Sequence, residues 1–360
     1  MTTDIQGVDF NTLTIADVES LTDDAVAITF DVPSELADTY RYVPGQHVAV
    51  RAEIDGRDVR RTYSICANAA TNRLRIGVKR IDGGTFSSFA TMQLHAGDQL
   101  DVAAPYGEFT VVPDAAEAAH YGAIAAGSGI TPILSMIATV LEEEPNSRFT
   151  LLFGNRTSAS IMFLEELEGL KDRYPSRFHL VHVLSREAQI IPVLSGRLDE
   201  ERLETLLDSV VDTASVDDWY LCGPYELVHS ARAVLGYRGV SEDVIHDELF
   251  FAEPTPAPPP AAPVDETGMA QVTFTLDGRT SSVLTDPNGP PILAYALEER
   301  RDTPFSCRGG MCTTCKAQVL EGEASMDLNF ALAEEDLAKG YILTCQAHPK
   351  SEKLTITYDV

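Results

Sequence analysis

The stretch Cys307–Cys315, CRGGMCTTC, and a fourth cysteine, Cys345, decide the fold of the C-terminal part of this chain. The cysteines stand as C-x4-C-x2-C with the last one 30 positions further on, which is the plant-type spacing for a 2Fe-2S cluster. Three thiolates on one loop can wrap such a cluster, and the distant fourth closes it from another segment. A structural zinc site also uses four cysteines, but it prefers two C-x2-C pairs and only one is present. The sequence therefore predicts Cys307, Cys312, Cys315 and Cys345 as ligands of a 2Fe-2S cluster.

A proline-rich run separates this cluster domain from the rest of the chain. The run Glu253–Val264, EPTPAPPPAAPV, cannot form a helix or a sheet ladder and favours an extended, semi-rigid tether. We therefore expect a linker over 253–266 and a separate 2Fe-2S domain over 267–360, with an α+β, β-grasp-like fold.

Two kinds of pattern divide the residues before the linker. Short apolar runs such as Val26–Val32, separated by Pro-Gly, Asp-Gly and Gly-Asp turns, predict an antiparallel β-barrel over 1–115. From 116 to 252, apolar runs such as Phe149–Phe153 alternate with helical patterns. That alternation predicts an α/β domain with a parallel sheet. Three domains suit a chain of 360 residues.

The predicted barrel carries a candidate flavin site. Arg61-Thr62-Tyr63-Ser64 offers a guanidinium for a phosphate, an aromatic face and a hydroxyl within one short strand. The turn Gly83-Gly84-Thr85-Phe86-Ser87 adds backbone donors suited to a pyrophosphate at a helix start. The predicted flavin-binding residues are Arg61, Thr62, Tyr63, Ser64, Val78, Lys79, Gly83, Gly84, Phe86 and Ser87.

A candidate nicotinamide site follows the first strand of the predicted α/β domain. The buried run Gly122–Ala126 leads into Gly127-Ser128-Gly129-Ile130-Thr131-Pro132 and then a helix. The glycines would lie where a pyrophosphate meets a helix N-terminus, although an ordinary strand–helix turn is the alternative. The predicted residues here are Gly127, Ser128, Gly129, Thr131 and Pro132.

Arginines after the next two strands favour NADPH over NADH. An acidic residue after the second strand would hold the ribose of NAD, whereas arginine accommodates the 2′-phosphate of NADP. Here Asn155 and Arg156 follow the second strand, Ser185 and Arg186 follow the third, and Arg197 comes later. The alternative is that the arginines only pair with nearby carboxylates. We expect all five residues to contribute to an NADPH site.

Composition limits the partners of the chain. Its 27 Lys and Arg against 55 Asp and Glu give a net charge of −28, which opposes binding to nucleic acid or an anionic membrane. The N-terminal MTTDIQGVDF lacks the features of a signal peptide, and no run approaches about 18 apolar residues. We expect a cytoplasmic protein, in which Cys66 and Cys222 are small buried residues outside the cluster set.

As a set, these motifs resemble the ferredoxin-NADP reductase superfamily with a fused plant-type ferredoxin, over nearly the whole chain. The resemblance implies FAD as the flavin and the domain order flavin, nicotinamide, ferredoxin. It places Cys222, Gly223 and Pro224 at the nicotinamide, and Glu248 and Phe250 in a segment that closes over the flavin. The implied catalytic set is Ser64, Cys222 and Glu248.

More narrowly, residues 307–349 resemble the reductase subunits of bacterial ring-1,2-phenylacetyl-CoA epoxidases, which supply electrons to a di-iron oxygenase. This implies aerobic phenylacetate degradation, an oxygenase component as the protein partner, and electron transfer from NADPH through FAD and the cluster. Reductases of 3-ketosteroid and aromatic-ring hydroxylases have a similar layout and are alternatives. A non-catalytic iron-sulfur docking subunit and a free-standing reductase for soluble ferredoxins are further alternatives.

Overall fold

The structure is a computed structural model that describes residues 10–250, 268–276, 278–300, 303–305, 308–310 and 313–359. The described residues fall into two compact units, one within Asn11–Pro254 and the other within Thr255–Val360. The predicted linker over 253–266 lies outside the described residues, as do Cys307 and Cys312.

The first unit begins with a six-stranded sheet. Its strands are β1 Phe10–Thr22, β2 Ala25–Asp31, β3 His47–Ile54, β4 Arg57–Ser64, β5 Arg75–Lys79 and β6 Gln99–Ala103. They lie in the order β4-β3-β6-β1-β2-β5, and a bridge between Ile65 and Ile76 joins the two edges. The helix α1, Thr85–Met92, buries Phe86 and Ala90 in the core of this barrel. The prediction of an antiparallel barrel is confirmed.

A parallel sheet with helices on both faces completes the first unit. Its strands are β7 His120–Ala126, β8 Arg148–Asn155, β9 Phe178–Leu184, β10 Asp218–Gly223 and β11 Ile245–Leu249. Its helices are α2 Ile130–Glu143, α3 Leu164–Arg173, α4 Glu200–Ser209 and α5 Tyr225–Tyr237. The strand order is β11-β10-β7-β8-β9 with every pair parallel, so the carboxyl ends of the strands meet at one edge. Ligands of open α/β sheets bind at this edge.

The barrel and the parallel sheet are joined through a buried cation. The Arg75 side chain is 4% exposed, and its guanidinium lies 2.6 Å from Glu19 of β1 and 2.7 Å from Glu166 of α3. Nearby, Ser135 Oγ of α2 donates to the carbonyl oxygen of Ala67 over 2.6 Å. These polar contacts fix the two halves of the first unit relative to each other.

The second unit is a small α+β fold. Its strands are β12 Ala270–Leu276, β13 Arg279–Thr285, β14 Lys316–Glu321, β15 Ala324–Met326, β16 Tyr341–Leu343, β17 Ala347–Pro349 and β18 Lys353–Thr357. Five of them form a mixed sheet in the order β13-β12-β18-β14-β16, and β15 pairs with β17. The helix α6, Ile292–Glu299, packs Ile292 and Ala296 against the sheet, and α7 spans Glu334–Ala338. None of the helices in the described parts of the chain has the length and apolarity that crossing a membrane requires.

Candidate active site

The barrel and the parallel sheet meet at a hydrogen bond between Ser64 and Glu248. Ser64 ends β4 and is 3% exposed, and Glu248 lies near the carboxyl end of β11. Ser64 Oγ donates to Glu248 Oε2 over 3.1 Å. Two predicted catalytic residues, which are 184 positions apart, are therefore in direct contact.

The same carboxylate has a second partner that no sequence motif singles out. His47 Nδ1 lies 3.2 Å from Glu248 Oε1, and the two side chains are only 12% and 18% exposed. His47 starts β3 and is the register partner of Ser64 on β4. Only the pairing of β3 with β4 would have indicated that His47 and Ser64 share a location.

Cys222, the third predicted catalytic residue, lies beside Glu248 in the parallel register of β10 and β11. It is fully buried, and burial raises the pKa of its thiol well above the ordinary value, with the negative charges of Glu248 and Asp247 adding to the effect. Burial therefore disfavours the thiolate form of Cys222 at this position.

Arg61 and Tyr63 lie on the same side of β4, because alternate residues of a strand face the same way. Tyr63 is partly buried, and its ring centroid is 5.5 Å from that of Phe86. Burial raises the pKa of Tyr63, and the positive charge of Arg61 opposes this rise. The predicted phosphate ligand and the predicted aromatic face are thus neighbours. Thr62 lies between them, opposite Ala49 on β3.

The start of α1 has the geometry of an anion site. Gly83 has φ +74° and Gly84 precedes the helix, and the first amide bonded within the helix is that of Ser88. Earlier first-turn N–H groups of a helix have no intrahelical acceptor. Ser87 Oγ accepts from Ile81 N over 3.1 Å, so its hydroxyl also fixes the turn.

Two predicted flavin residues, Val78 and Phe86, contribute their side chains to the barrel core. They are 0% and 1% exposed, so only their main chains are available to a ligand. Lys79 of β5, in contrast, lies near Arg156 of the parallel sheet. Burial lowers the pKa of Lys79, Arg156 lowers it further, and Asp24, 3.7 Å away, raises it.

The loop after β7 approaches β10 closely. A Cβ added to Gly129 would lie 2.3 Å from the carbonyl oxygen of Cys222, so only glycine fits there. Gly127 has φ +55°, and Thr131 Oγ1 donates to the Ser128 carbonyl over 3.0 Å. The loop is therefore held as a tight turn, which Ile130, Thr131 and Pro132 continue as the buried first turn of α2.

The segment after β10 completes the strand-end edge. Phe250 N donates to Gly223 O over 2.8 Å, and the Phe250 side chain packs against the core between α2 and the barrel. Pro224 precedes the first residue of α5. Gly223, Pro224 and Phe250 therefore lie together.

Asn155 offers an unused amide at this edge. It ends β8 and is 8% exposed, and neither Oδ1 nor Nδ2 has a hydrogen-bond partner among the residues that the structure describes. Buried side-chain amides are normally hydrogen-bonded. The unpartnered Oδ1 and Nδ2 of Asn155 therefore indicate a ligand that supplies both a donor and an acceptor. The carbonyl oxygen of Asn155 accepts from Ser185 N over 2.9 Å. The edge fits a nicotinamide dinucleotide.

The three predicted arginines differ in their surroundings. Arg156 and Arg186 are exposed and adjacent, since Arg186 N donates to Arg156 O over 2.7 Å. Neither makes an ion pair with any carboxylate in the described ranges. Arg197 is also exposed, but its guanidinium lies 3.7 Å from Glu226. Of the three, Arg197 has a carboxylate partner, on an exposed surface where such a pair contributes little.

In the second unit, the two described cluster cysteines lie close together. Cys315 and Cys345 are 1% and 5% exposed. Both the main-chain N–H and the hydroxyl of Thr344 donate to Cys315 O over 3.1 Å. The side-chain amide of Gln346, next to Cys345, donates to Arg308 O over 2.9 Å. Two buried cysteine thiols on neighbouring segments fit the ligands of a 2Fe-2S cluster.

Three family models match the chain in the predicted domain order. They describe an oxidoreductase FAD-binding domain over residues 12–111, an oxidoreductase NAD-binding domain over 123–233 and a 2Fe-2S iron-sulfur cluster binding domain over 274–350. The predicted FAD, nicotinamide and 2Fe-2S cofactors are confirmed.

Curated relatives extend over nearly the whole chain. One component of the 1,2-phenylacetyl-CoA epoxidase of Escherichia coli K12 is 41% identical, over 97% of this chain and 98% of its own length. The ferredoxin reductase component of 3-ketosteroid-9-alpha-monooxygenase from Mycolicibacterium smegmatis is 34% identical over 96% of both chains. Among solved structures, phthalate dioxygenase reductase shares the fold, with a TM-score of 0.60 and 23% identity, over 97% of this chain and 98% of that one. The chain therefore belongs to the ferredoxin-NADP reductase superfamily with a fused plant-type 2Fe-2S domain, and within it to the NAD(P)H-dependent reductase components of oxygenase systems.

Proposed function

We propose that this chain passes electrons from NADPH through FAD and its 2Fe-2S cluster to the oxygenase component of a phenylacetyl-CoA epoxidase. The similarity to the component of the E. coli epoxidase, at 41% identity over 97% of the chain, supports this substrate class. The hydrogen bond from Ser64 to Glu248 is the observation that carries the assignment of the active site, because it joins the predicted flavin domain to the predicted nicotinamide domain.

When bound, FAD would supply the chemistry that connects a two-electron nicotinamide donor to a one-electron cluster. Arg61 would hold a phosphate, Tyr63 would pack on the flavin ring, and the first turn of α1 would bind the pyrophosphate. Ser64, whose hydroxyl proton is donated to Glu248, would accept a hydrogen bond near the reacting edge of the ring. Glu248, as its partner, orients that hydroxyl. Gly129 lets the nicotinamide loop lie against β10, beside Glu248.

NADPH is proposed over NADH because two exposed arginines lie at the ends of adjacent strands. Arg156 and Arg186 are neighbours linked through their main chains, which supports a shared positive site at this edge. Paired guanidinium groups suit a phosphate monoester. Ser185, between β9 and Arg186, would add a hydroxyl donor.

We place the partner, the location and the domain limits within the same proposal. The partner is an oxygenase protein, and neither nucleic acid nor a membrane is expected for a chain with a net charge of −28. A cytoplasmic location is supported by the buried free thiols of Cys66 and Cys222. The domain limits are 1–115, 116–252 and 267–360, and each matched family range lies inside one of them.

The test is reconstitution with purified oxygenase components. The FAD- and cluster-loaded chain is mixed with NADPH and the oxygenase of a phenylacetyl-CoA epoxidase, and phenylacetyl-CoA consumption is measured under air. A matched assay uses the oxygenase of a 3-ketosteroid 9α-hydroxylase, because a reductase of that system is 34% identical to this chain. Turnover with the epoxidase and not the hydroxylase supports the proposal. The reverse result, or NADPH that fails to bleach the flavin, overturns it.

A further inference from the structure

We propose that His47 is a positioning residue that holds the Glu248 carboxylate against Ser64. The carboxylate has one oxygen for each partner: Oε1 is 3.2 Å from His47 Nδ1, and Oε2 is 3.1 Å from Ser64 Oγ. A carboxylate bonded through one oxygen can still rotate, whereas two partners on different oxygens fix its plane. The inference rests on the proposed function of Ser64 and Glu248.

The surroundings of His47 specify which ring nitrogen carries the proton. Nε2 is buried and has no hydrogen-bond partner within the described residues. A neutral imidazole with its proton on Nδ1 donates to Glu248 and leaves Nε2 as an unpartnered acceptor. A buried acceptor without a partner costs less free energy than a buried N–H without one. The opposite tautomer would set a lone pair of Nδ1 against the carboxylate. We therefore expect His47 to be the Nδ1–H tautomer.

The ring of His47 is itself held on three sides. Its main-chain N–H and C=O bond to those of Tyr106 over 3.0 and 2.9 Å. The Tyr106 ring meets the imidazole edge-on, with centroids 4.3 Å apart. Gly107, at φ +117°, leaves room for the ring, because a Cβ there would lie 2.8 Å from His47 Cε1. A side chain that only filled the barrel core would not need its Nδ1 aimed at a carboxylate on another domain.

Two substitutions separate positioning from simple packing. His47→Asn keeps an N–H donor near the Nδ1 position, whereas His47→Gln places its amide near the Nε2 position and loses the bond to Glu248. Both are neutral, polar and smaller than or similar to histidine. We expect His47→Gln to lower the limiting rate of flavin reduction by NADPH by about tenfold or more, the effect of losing a hydrogen bond to a charged group. His47→Asn should recover most of that rate, and neither should change the Kd for NADPH by more than about twofold.

A second readout does not depend on turnover. In the oxidised holoprotein labelled with 15N-histidine, the His47 resonances, assigned by their loss in His47→Asn, should show a protonated Nδ1 and an unprotonated Nε2. Glu248→Ala should abolish this preference. An Nε2–H tautomer, or equal rates for the Asn and Gln variants, overturns the proposal. If Ser64→Ala and Glu248→Ala leave flavin reduction unchanged while the Nδ1–H tautomer is observed, the assigned role of Ser64 and Glu248 fails and the His47–Glu248 bond stands.

Discussion

The main chains of Gly129 and Cys222 approach so closely that a Cβ on Gly129 would lie 2.3 Å from the Cys222 carbonyl oxygen. This contact seats the turn before α2 on the end of β10, next to Glu248. The nicotinamide loop is therefore positioned by main-chain packing, and its exact place depends on the absence of one methyl group.

Gly129→Ala should displace the loop from β10. We expect the Kd for NADPH to rise by about tenfold or more and the free energy of unfolding to fall by about 1–3 kcal/mol, the range for overpacking in a tight site. Stopped-flow flavin reduction and urea unfolding measure the two effects. Gly169→Ala is the matched control, since Gly169 lies within α3 with open space around its Cβ position. It should leave NADPH binding unchanged and stabilise the protein slightly, by up to about 1 kcal/mol.

Ser64→Ala should slow flavin reduction by NADPH. The variant removes the donor to Glu248 Oε2 and leaves that partly buried carboxylate with one fewer partner. We expect at least about a tenfold loss in the limiting rate at saturating NADPH, while Ser64→Thr, which keeps the hydroxyl, should retain more of it. Rapid-mixing absorbance at the flavin band gives both rates. An unchanged rate in the alanine variant would remove the role assigned to Ser64.

Arg156→Ala and Arg186→Ala should weaken the binding of NADPH and not that of NADH. Each substitution removes a charge-assisted bond to the 2′-phosphate, which corresponds to a rise of about tenfold or more in Kd for NADPH. The Kd for NADH should stay within about twofold. Arg41→Ala serves as the control because Arg41 is exposed, pairs with Asp38 and belongs to no predicted site. Equal losses for the two nucleotides would contradict recognition of the 2′-phosphate.

Removing both carboxylates from Arg75 should destabilise the first unit. In the double variant Glu19→Gln/Glu166→Gln the guanidinium, whose side chain is 4% exposed, keeps neither charge partner. We expect the free energy of unfolding to fall by about 3 kcal/mol. This is the lower end of the range for breaking a buried ion pair, because both carboxylates are roughly half exposed. Urea unfolding can be followed through the single tryptophan, Trp219, which is fully buried in β10.

The control for this measurement is an ion pair on the surface. Asp38→Asn removes the partner of Arg41, and the two side chains are 92% and 76% exposed. Such pairs contribute about 0–1 kcal/mol, so the urea midpoint should barely change. If the double variant loses no more free energy of unfolding than Asp38→Asn, Arg75 does not hold the barrel to the parallel sheet.

Cys345→Ser should abolish the cluster and spare the flavin. The variant should lose both irons and the visible absorbance of the cluster, yet NADPH should still bleach FAD at the unaltered rate. Cys66→Ala, outside the cluster set, should keep a full iron content. Burial raises the pKa of Cys66 to about 12, so its thiol stays protonated at pH 8 and should resist alkylation in the folded protein. Iron analysis and iodoacetamide labelling test the two cysteines.

The cluster spacing, the barrel and the parallel sheet could be predicted because each has a short-range pattern. The predicted run Val26–Val32 overlaps strand β2, and the predicted run Phe149–Phe153 lies within strand β8. β1, the longest strand of the barrel, shows this pattern less clearly. Its register shifts between Ile15 and Asp17 and again between Ser20 and Thr22, and these bulges destroy the alternation that identifies a strand.

The active site could be predicted only in part, since it is made by long-range contacts. The motif around Arg61–Ser64 singles out Ser64, and the family resemblance implies Glu248, but their contact depends on how β4 and β11 meet. His47 carries no motif of its own, and a lone histidine at a strand start gives no reason to select it. Val78 and Phe86 fit the motif region, yet the pleat and the helix face turn their side chains into the core.

Gly107 never needs to touch a cofactor to matter for the reaction. In a saturation-mutagenesis library, position 107 should tolerate almost no replacement, since any side chain would strain the backbone at φ +117° and press on the imidazole of His47. Such a profile would make this loop glycine look like a ligand-contacting residue, and engineering that aims to retune the enzyme from its barrel loops has to leave this position as it is.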